Sequence, residues 1–173
     1  KVAVLTPISM DHMKFLGKNL SQIAEEKAGI IKEGSTVISA QQQPEALTVI
    51  KEKVSQQNGT LVIAENAGKV RYGIERQRFN YQQYKDLEIR LIGTYQITNA
   101  ILALEVINAL NKVGFSVSET ALRNGLRETK WQGRFSVINK KPFFVVDGAH
   151  NEGAAKLLAE SIEIYFTKKR IIY

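Results

Sequence analysis

The sequence predicts an α/β fold, and three observations lead to it. Short apolar runs rich in β-branched residues alternate with helical stripes over the first 64 residues. The pattern then changes to polar, glycine-punctuated segments. Near the carboxyl end an apolar run, Phe143 to Val146, leads through an acid-bearing turn into a helix. In order, Val2 to Leu5 is the first strand, and Ser21 to Lys27 is helical, with Ile23 and Ala24 inward and Gly29 as its stop. Thr36 to Ser39 is a second strand and Leu61 to Ala64 a third. Between them, Pro44 to Gln56 carries Leu47, Ile50 and Val54 on one helical stripe. This alternation of strands and helices argues for a parallel sheet with crossover helices.

From Ala67 to Leu91 the segments Val70-Arg71-Tyr72-Gly73-Ile74 and Leu87-Glu88-Ile89-Arg90-Leu91 have the character of short antiparallel strands. Gly93 and Thr94 lead into the most strongly patterned helix, Tyr95 to Leu110, with Ile97, Ile101, Leu104 and either Ile107 or Leu110 inward. Gly114 closes that region. Ser118 is placed to cap a helix over Thr120 to Arg127, and Trp131-Gln132-Gly133-Arg134 breaks the pattern, which puts a domain boundary near Gly133 to Ser136. Beyond it come strand, turn and helix, with Asn151 as the cap of a helix built on Ala154, Leu157, Leu158 and Ile162. Arg170 to Tyr173 reads as the start of another strand. A strand-helix-strand unit of that size cannot bury both sheet faces, so the chain is expected to be a piece of something larger.

Composition narrows the chemistry. An apolar content of 44% with mixed charge reads as soluble and globular, and no apolar run approaches the roughly 20 residues of a bilayer span. No secretory signal pattern opens the chain, so a cytoplasmic address is the simplest reading. With no cysteine, thiolate nucleophiles, thiolate metal sites and disulfides are excluded, and chemistry must come from oxygen and nitrogen groups. A net charge of +7 favours anionic partners. Its lysines and arginines are scattered, without the basic stripe and interleaved aromatics of a nucleic-acid footprint. Nucleotides and polycarboxylates suit the charge as well.

The candidate residues have ordinary and chemical readings side by side. Asp147 and His150 lie on Val145-Val146-Asp147-Gly148-Ala149-His150-Asn151, beyond a strand's carboxyl end, where α/β proteins hold ligands. An aspartate there also commonly satisfies loop amides. His12, in Ser9-Met10-Asp11-His12, follows the first strand, where a histidine can simply bond the backbone. Lys27, in Glu25-Glu26-Lys27-Ala28-Gly29, is a cation favourably placed at a helix C-terminus. Asn99 is by default a solvated or capping amide, and Arg134 a surface ion-pair residue.

Taken together, Ser9-Met10-Asp11-His12 with Leu16-Gly17, Glu26-Lys27-Ala28-Gly29-Ile30-Ile31-Lys32, Gly93-Thr94-Tyr95-Gln96-Ile97-Thr98-Asn99-Ala100, Gly133-Arg134 and Asp147-Gly148-Ala149-His150-Asn151 resemble the folylpolyglutamate synthases, the folate branch of the Mur-ligase superfamily. The resemblance covers nearly the whole chain in order and spacing. It implies the second half of a P-loop ATPase central domain over residues 1–133, and the beginning of a Rossmann-like carboxyl-terminal ligase domain over residues 134–173. It also implies an ATP- and Mg²⁺-dependent amide ligase that adds L-glutamate to a reduced folate or folylpolyglutamate through an acyl phosphate, in a monomeric parent enzyme. By the same resemblance His12 matches a magnesium-ligating histidine, although Mg²⁺ prefers oxygen. Lys27 matches a lysine that many members carbamylate, converting an ammonium into hard oxygens. Asn99 matches the adenine-contacting asparagine. Arg134 matches an arginine that reaches ATP phosphate, and Asp147 and His150 match groups that meet the nucleotide, the carboxylate suiting ribose hydroxyls.

The departures are equally definite. These residues contain no G-x-x-x-x-G-K-[ST] phosphate cradle, nor the acidic magnesium ligand expected between it and Lys1, nor most of the glutamate-binding carboxyl-terminal domain. The isolated chain is therefore expected to be catalytically incompetent. Two other readings stand beside the ligase: dihydrofolate synthase or a bifunctional enzyme, with dihydropteroate as substrate, and a non-catalytic nucleotide-binding module. Nucleic-acid binding through the basic surface would reveal itself by steep salt dependence.

Overall fold

The computed structural model describes residues 1–10 and 16–172. The chain forms two compact units, one of Lys1–Asn66 with Ile101–Ser118, the other of Ala67–Ala100 with Glu119–Tyr173.

In the first unit β1 (Val2–Leu5), β2 (Thr36–Ser39) and β3 (Thr60–Ile63) make a parallel sheet in the order β1-β2-β3, with Val2 opposite Thr36 and Thr36 opposite Thr60. The crossovers are α1 (Leu20–Ala28) and α2 (Pro44–Gln56). The first helix starts where Asn19 Oδ1 accepts the Gln22 amide at 2.9 Å, and the second starts with proline, whose missing N–H is no loss at that position. Ile23, Ala24, Val37, Ala46, Ile50 and Val54 close the core. β2 is buried at Val37, Ile38 and Ser39 in succession, as an internal parallel strand is. At the sheet's carboxyl end, Gln42 Oε1 accepts the Ile8 amide at 2.9 Å while Nε2 donates to the Thr6 carbonyl at 3.0 Å. Gln41 Nε2 donates to the Ala64 carbonyl at 2.7 Å. Two adjacent amides thus tie together the loops that follow all three strands.

In the second unit β4 (Gly68–Arg71), β5 (Gln77–Tyr81) and β6 (Tyr84–Ile89) form an antiparallel sheet in chain order. The antiparallel character of this region is as expected, but β5 is a strand that the polar sequence conceals. Its inward positions are Gln77, Phe79 and Tyr81, all buried, and the glutamine breaks the apolar alternation. The long helix α3 (Tyr95–Lys112) divides between the units at Ala100, and α4 (Glu119–Glu128) packs on β6.

The last segment is corrected in two respects. Its strands β7 (Ser136–Lys140) and β8 (Phe143–Val146) form an antiparallel hairpin, Ser136 opposite Val146, because a two-residue link permits only a reversal. After α5 (Glu152–Tyr165), residues 170–172 form no strand. Ile172 is 87% exposed and, among the described residues, pairs with no strand; Tyr173, the last residue of the expected strand, lies outside them. Among the described residues, no helix is long and apolar enough to cross a membrane.

Ile50 is fully buried and Lys51, beside it, is exposed. Ile50→Ala should lower unfolding free energy by about 2–5 kcal/mol, whereas Lys51→Ala should change it by less than about 0.5 kcal/mol in urea titrations.

Candidate functional site

The site grows from the end of β8. After Val146 the chain turns through Asp147-Gly148-Ala149-His150 into α5, whose N-cap, Asn151, accepts the Ala154 amide through Oδ1 at 2.8 Å. The Asp147 carboxylate is half-buried and accepts three hydrogen bonds. Its Oδ2 takes the Tyr95 hydroxyl at 2.8 Å and the Phe135 amide at 2.7 Å, and its Oδ1 takes the Ala149 amide at 2.8 Å. The ordinary reading, a strand-end aspartate satisfying loop amides, therefore holds, and a tyrosine joins it.

Tyr95 is placed by the two residues before it. Gly93 has φ +107°, and a side chain there would bring its Cβ within 2.9 Å of the Tyr95 ring, so only glycine allows this turn. The Gly93 and Leu91 carbonyls accept both amide hydrogens of Gln77, at 2.9 and 2.7 Å. The Thr94 amide donates to Ser161 Oγ at 3.0 Å, and that buried hydroxyl donates in turn to the Leu157 carbonyl at 2.8 Å. The start of α3 is thereby fixed to β5 on one side and α5 on the other.

Electrostatics follows the geometry. Burial, reinforced by the Asp147 carboxylate, pushes the Tyr95 phenol well above the usual tyrosine range, with Arg134 opposing weakly. Tyr95 therefore remains a donor throughout the physiological range. Tyr165, whose hydroxyl lies beside the Gly93 amide outside hydrogen-bond geometry, is pushed up chiefly by burial. Below the carboxylate, Phe135 is 1% exposed and meets Tyr165 and Phe166, with ring centroids 5.4 and 6.2 Å away.

Arg134 and His150 gather around Gly148. Arg134 Nη1 donates to the Gly148 carbonyl at 3.4 Å, a long bond that leaves most of the exposed guanidinium's donors available. His150 Nδ1 stands 2.8 Å from the same oxygen. A Cβ on Gly148 would lie 2.8 Å from Arg134 Nη1 and 3.3 Å from the Gly133 carbonyl, so this position admits the arginine by having no side chain. Arg134, Asp147 and His150 thus occupy one turn cluster. Asn99 sits one helical turn after Tyr95 and donates to Gln96 Oε1 at 2.9 Å, keeping its carbonyl and second amide hydrogen for other partners. Lys27 is exposed in the last turn of α1, in the first unit. His12 lies outside the described residues. Among the described residues, no three of His, Cys, Asp and Glu stand together as a metal cage.

The Mur ligase middle domain matches residues 1–107, more than half of the chain. The chain belongs to the Mur ligase middle domain family. Among curated relatives, the dihydrofolate synthase/folylpolyglutamate synthase of Bacillus subtilis (strain 168) is 36% identical over 98% of this chain, and the folylpolyglutamate synthase of Lacticaseibacillus casei is 31% identical over 96%. This Mur ligase chain spans only 41% of the length of each. A solved FPGS–AMPPCP–folate complex superposes with a TM-score of 0.91 at 31% identity, covering 96% of this chain and 43% of that one. A Mycobacterium tuberculosis folylpolyglutamate synthase complexed with ADP gives 0.86 at 28%, covering 95% and 39%.

In this Mur ligase chain, sequence reasoning had singled out Asp147 but not its tyrosine partner. In the sequence Tyr95 reads only as the first residue of a helix; the signal is a tyrosine two places after a glycine at that helix start. The raised phenol gives a sign to test. The unfolded chain ionises Tyr95 first, so stability is full below the ordinary tyrosine value and falls as pH rises above it. Tyr95→Phe should remove part of that alkaline fall and cost about 1–3 kcal/mol at neutral pH. Denaturation across pH, with absorbance titration of the phenols, checks both.

Proposed function

We propose that this chain is part of a folylpolyglutamate synthase and handles ATP there. One observation carries the reading. Relatives bearing that name match 96–98% of the chain, well beyond the 107 residues of the middle domain, so the Asp147 turn is matched together with the Gly93 to Asn99 segment. The residue chemistry supports it. Asn99 has an acceptor and a donor free for an adenine edge. Asp147 offers a carboxylate to ribose hydroxyls, and Arg134 presents a planar fork suited to phosphate oxygens. His150 stands beside them as a further nucleotide contact.

In the reaction so proposed, a γ-carboxylate oxygen of a reduced folyl-glutamate attacks the terminal phosphorus of ATP, and ADP leaves. The amine of L-glutamate then attacks the acyl carbon of the acyl phosphate, loses a proton and expels inorganic phosphate. Such transfers depend mainly on positioning and charge neutralisation, which is the part Arg134 and Asn99 would play. Mg²⁺, when bound, would supply further charge neutralisation at the phosphates. The described residues build no cage for it, and an unmodified Lys27 ammonium cannot ligate it. Within this reading its residues are His12 and a carbamylated Lys27, and no role assigned to the other residues passes through it.

The domain assignment belongs to the same proposal: residues 1–133 to the central ATP-binding domain, residues 134–173 to the start of the carboxyl-terminal ligase domain. In its support, the hairpin leaves Ile138 and Phe144 63% and 57% exposed, apolar surface suited to burial under further chain. A cytoplasmic location, a monomeric parent enzyme and reduced folate, L-glutamate and ATP as its substrates complete the reading. A second activity, dihydrofolate synthesis from dihydropteroate, has a specific observation in its favour. The Bacillus subtilis relative, at 36% identity, carries both names.

The test is ligation by the full-length protein that carries this chain, given ATP, Mg²⁺ and glutamate with tetrahydrofolate or dihydropteroate, products weighed by mass spectrometry. Tetrahydrofolate should gain a glutamyl residue, and gain by dihydropteroate as well would establish the bifunctional enzyme. No product from either, with ATP bound, would leave a nucleotide-binding module. Arg134→Ala and Asp147→Ala should each lower kcat/KM for ATP by about 10- to 100-fold, the scale of a lost charge-assisted hydrogen bond. Lys51→Ala should stay within about twofold.

A further inference from the structure

We propose that Tyr95 is a positioning residue for nucleoside recognition: its hydroxyl, bonded to Asp147 Oδ2, makes Oδ1 the carboxylate oxygen offered to a sugar hydroxyl. This rests on the nucleotide-binding reading of Asp147. A carboxylate has about four acceptor positions. Tyr95 and the Phe135 amide fill both on Oδ2, and the Ala149 amide fills one on Oδ1. One acceptor position remains, and it lies on Oδ1.

The two backbone donors flank the open end of the β7–β8 hairpin, one just before β7 and one just after β8, and hold the carboxylate only to that hairpin. Tyr95 alone ties it to α3. Asn99 is four residues further along that helix, on the same face. The Tyr95 bond therefore sets the sugar-side acceptor at a fixed height relative to the base-side amide. Gly93, pinned by Gln77, and Thr94, pinned by Ser161, keep the phenol itself from drifting. A tyrosine serves this purpose better than a charged donor. It fills the lone pair without neutralising the carboxylate, which must still attract a hydroxyl proton.

The inference separates from a merely structural role through the sugar. In the full-length protein, ATP and 2′,3′-dideoxy-ATP binding are compared by calorimetry for the parent, Tyr95→Phe and Asp147→Asn. The parent should prefer ATP by about tenfold or more, one charge-assisted hydrogen bond's worth. Tyr95→Phe should lose most of that preference, ATP weakening by about three- to tenfold while dideoxy-ATP changes by less than about twofold. Equal weakening of both ligands, or preference intact, would overturn the proposal. A parent without preference, or Asp147→Asn that retains it, would overturn the reading beneath it as well. Should Tyr95→Phe fail to fold, 3,5-difluorotyrosine at position 95 keeps the shape with a more acidic phenol. Loss of the preference should then move to lower pH, because the phenolate no longer donates; an unmoved pH profile would refute the role.

Discussion

One carboxylate ties the start of α3 to both flanks of the β7–β8 hairpin. Asp147 takes donors from the start of α3, from the turn before β7 and from the turn before α5, residues 52, 12 and 2 positions away in sequence. Each donor belongs to a segment with little regular structure of its own at that point. A neutral acceptor could meet the same geometry, but bonds to an ionised acceptor are roughly twice as strong. The charge therefore matters structurally before it matters chemically. It also leaves the side chain little freedom to turn, because most of its acceptor capacity is already used.

The same carboxylate accounts for a strained residue. Phe135 has φ +43°, a left-handed backbone that bulky side chains rarely adopt and that costs on the order of 1–3 kcal/mol. Its amide is held by Asp147 and its ring is buried among Tyr165, Phe166 and Ile92. Burial of a phenylalanine offsets about 1.5–3 kcal/mol, comparable to the strain. The twist aims Arg134, one residue earlier, back across Gly148. Strain at Phe135 and the absence of a side chain at Gly148 thus serve one outcome, a guanidinium lying over the acid-bearing turn.

Legibility in the sequence divides along physical lines. β1, β2, α1, α2 and the Asn151 cap were readable because they depend on residues within one or two turns of each other, where apolar period and capping chemistry speak directly. β5 was not, because its first inward residue is Gln77 and alternation counted by hydropathy fails there. The strand expected over Arg170 to Tyr173 does not form at 170–172 for the opposite reason: Ile171 and Ile172 have the right propensity, but among the described residues no strand pairs with them, and propensity alone orders nothing. At the site, Asp147 and His150 stand out through their turn and Arg134 only through the family resemblance, and the structure places the three around Gly148. Tyr95 was missed as a partner because the pairing spans 52 residues, and no local pattern encodes it.

Gln77 shows the physical logic beneath the site most clearly. It is fully buried, spends both amide hydrogens on the Leu91 and Gly93 carbonyls, and leaves its own Oε1 without a hydrogen-bond partner. An unsatisfied buried acceptor costs about 1–3 kcal/mol, whereas an apolar residue of similar size would incur no such penalty. What an apolar residue cannot do is bind two carbonyls that the chain exposes as it leaves β6 and turns at Gly93. Those carbonyls would then be the orphans, and the left-handed turn that delivers Thr94 to Ser161 and Tyr95 to Asp147 would lose its anchor. The glutamine accepts one unpaired oxygen in exchange for two paired ones. It thereby fixes the first turn of α3, on which the positions of both the Asn99 amide and the Tyr95 hydroxyl depend.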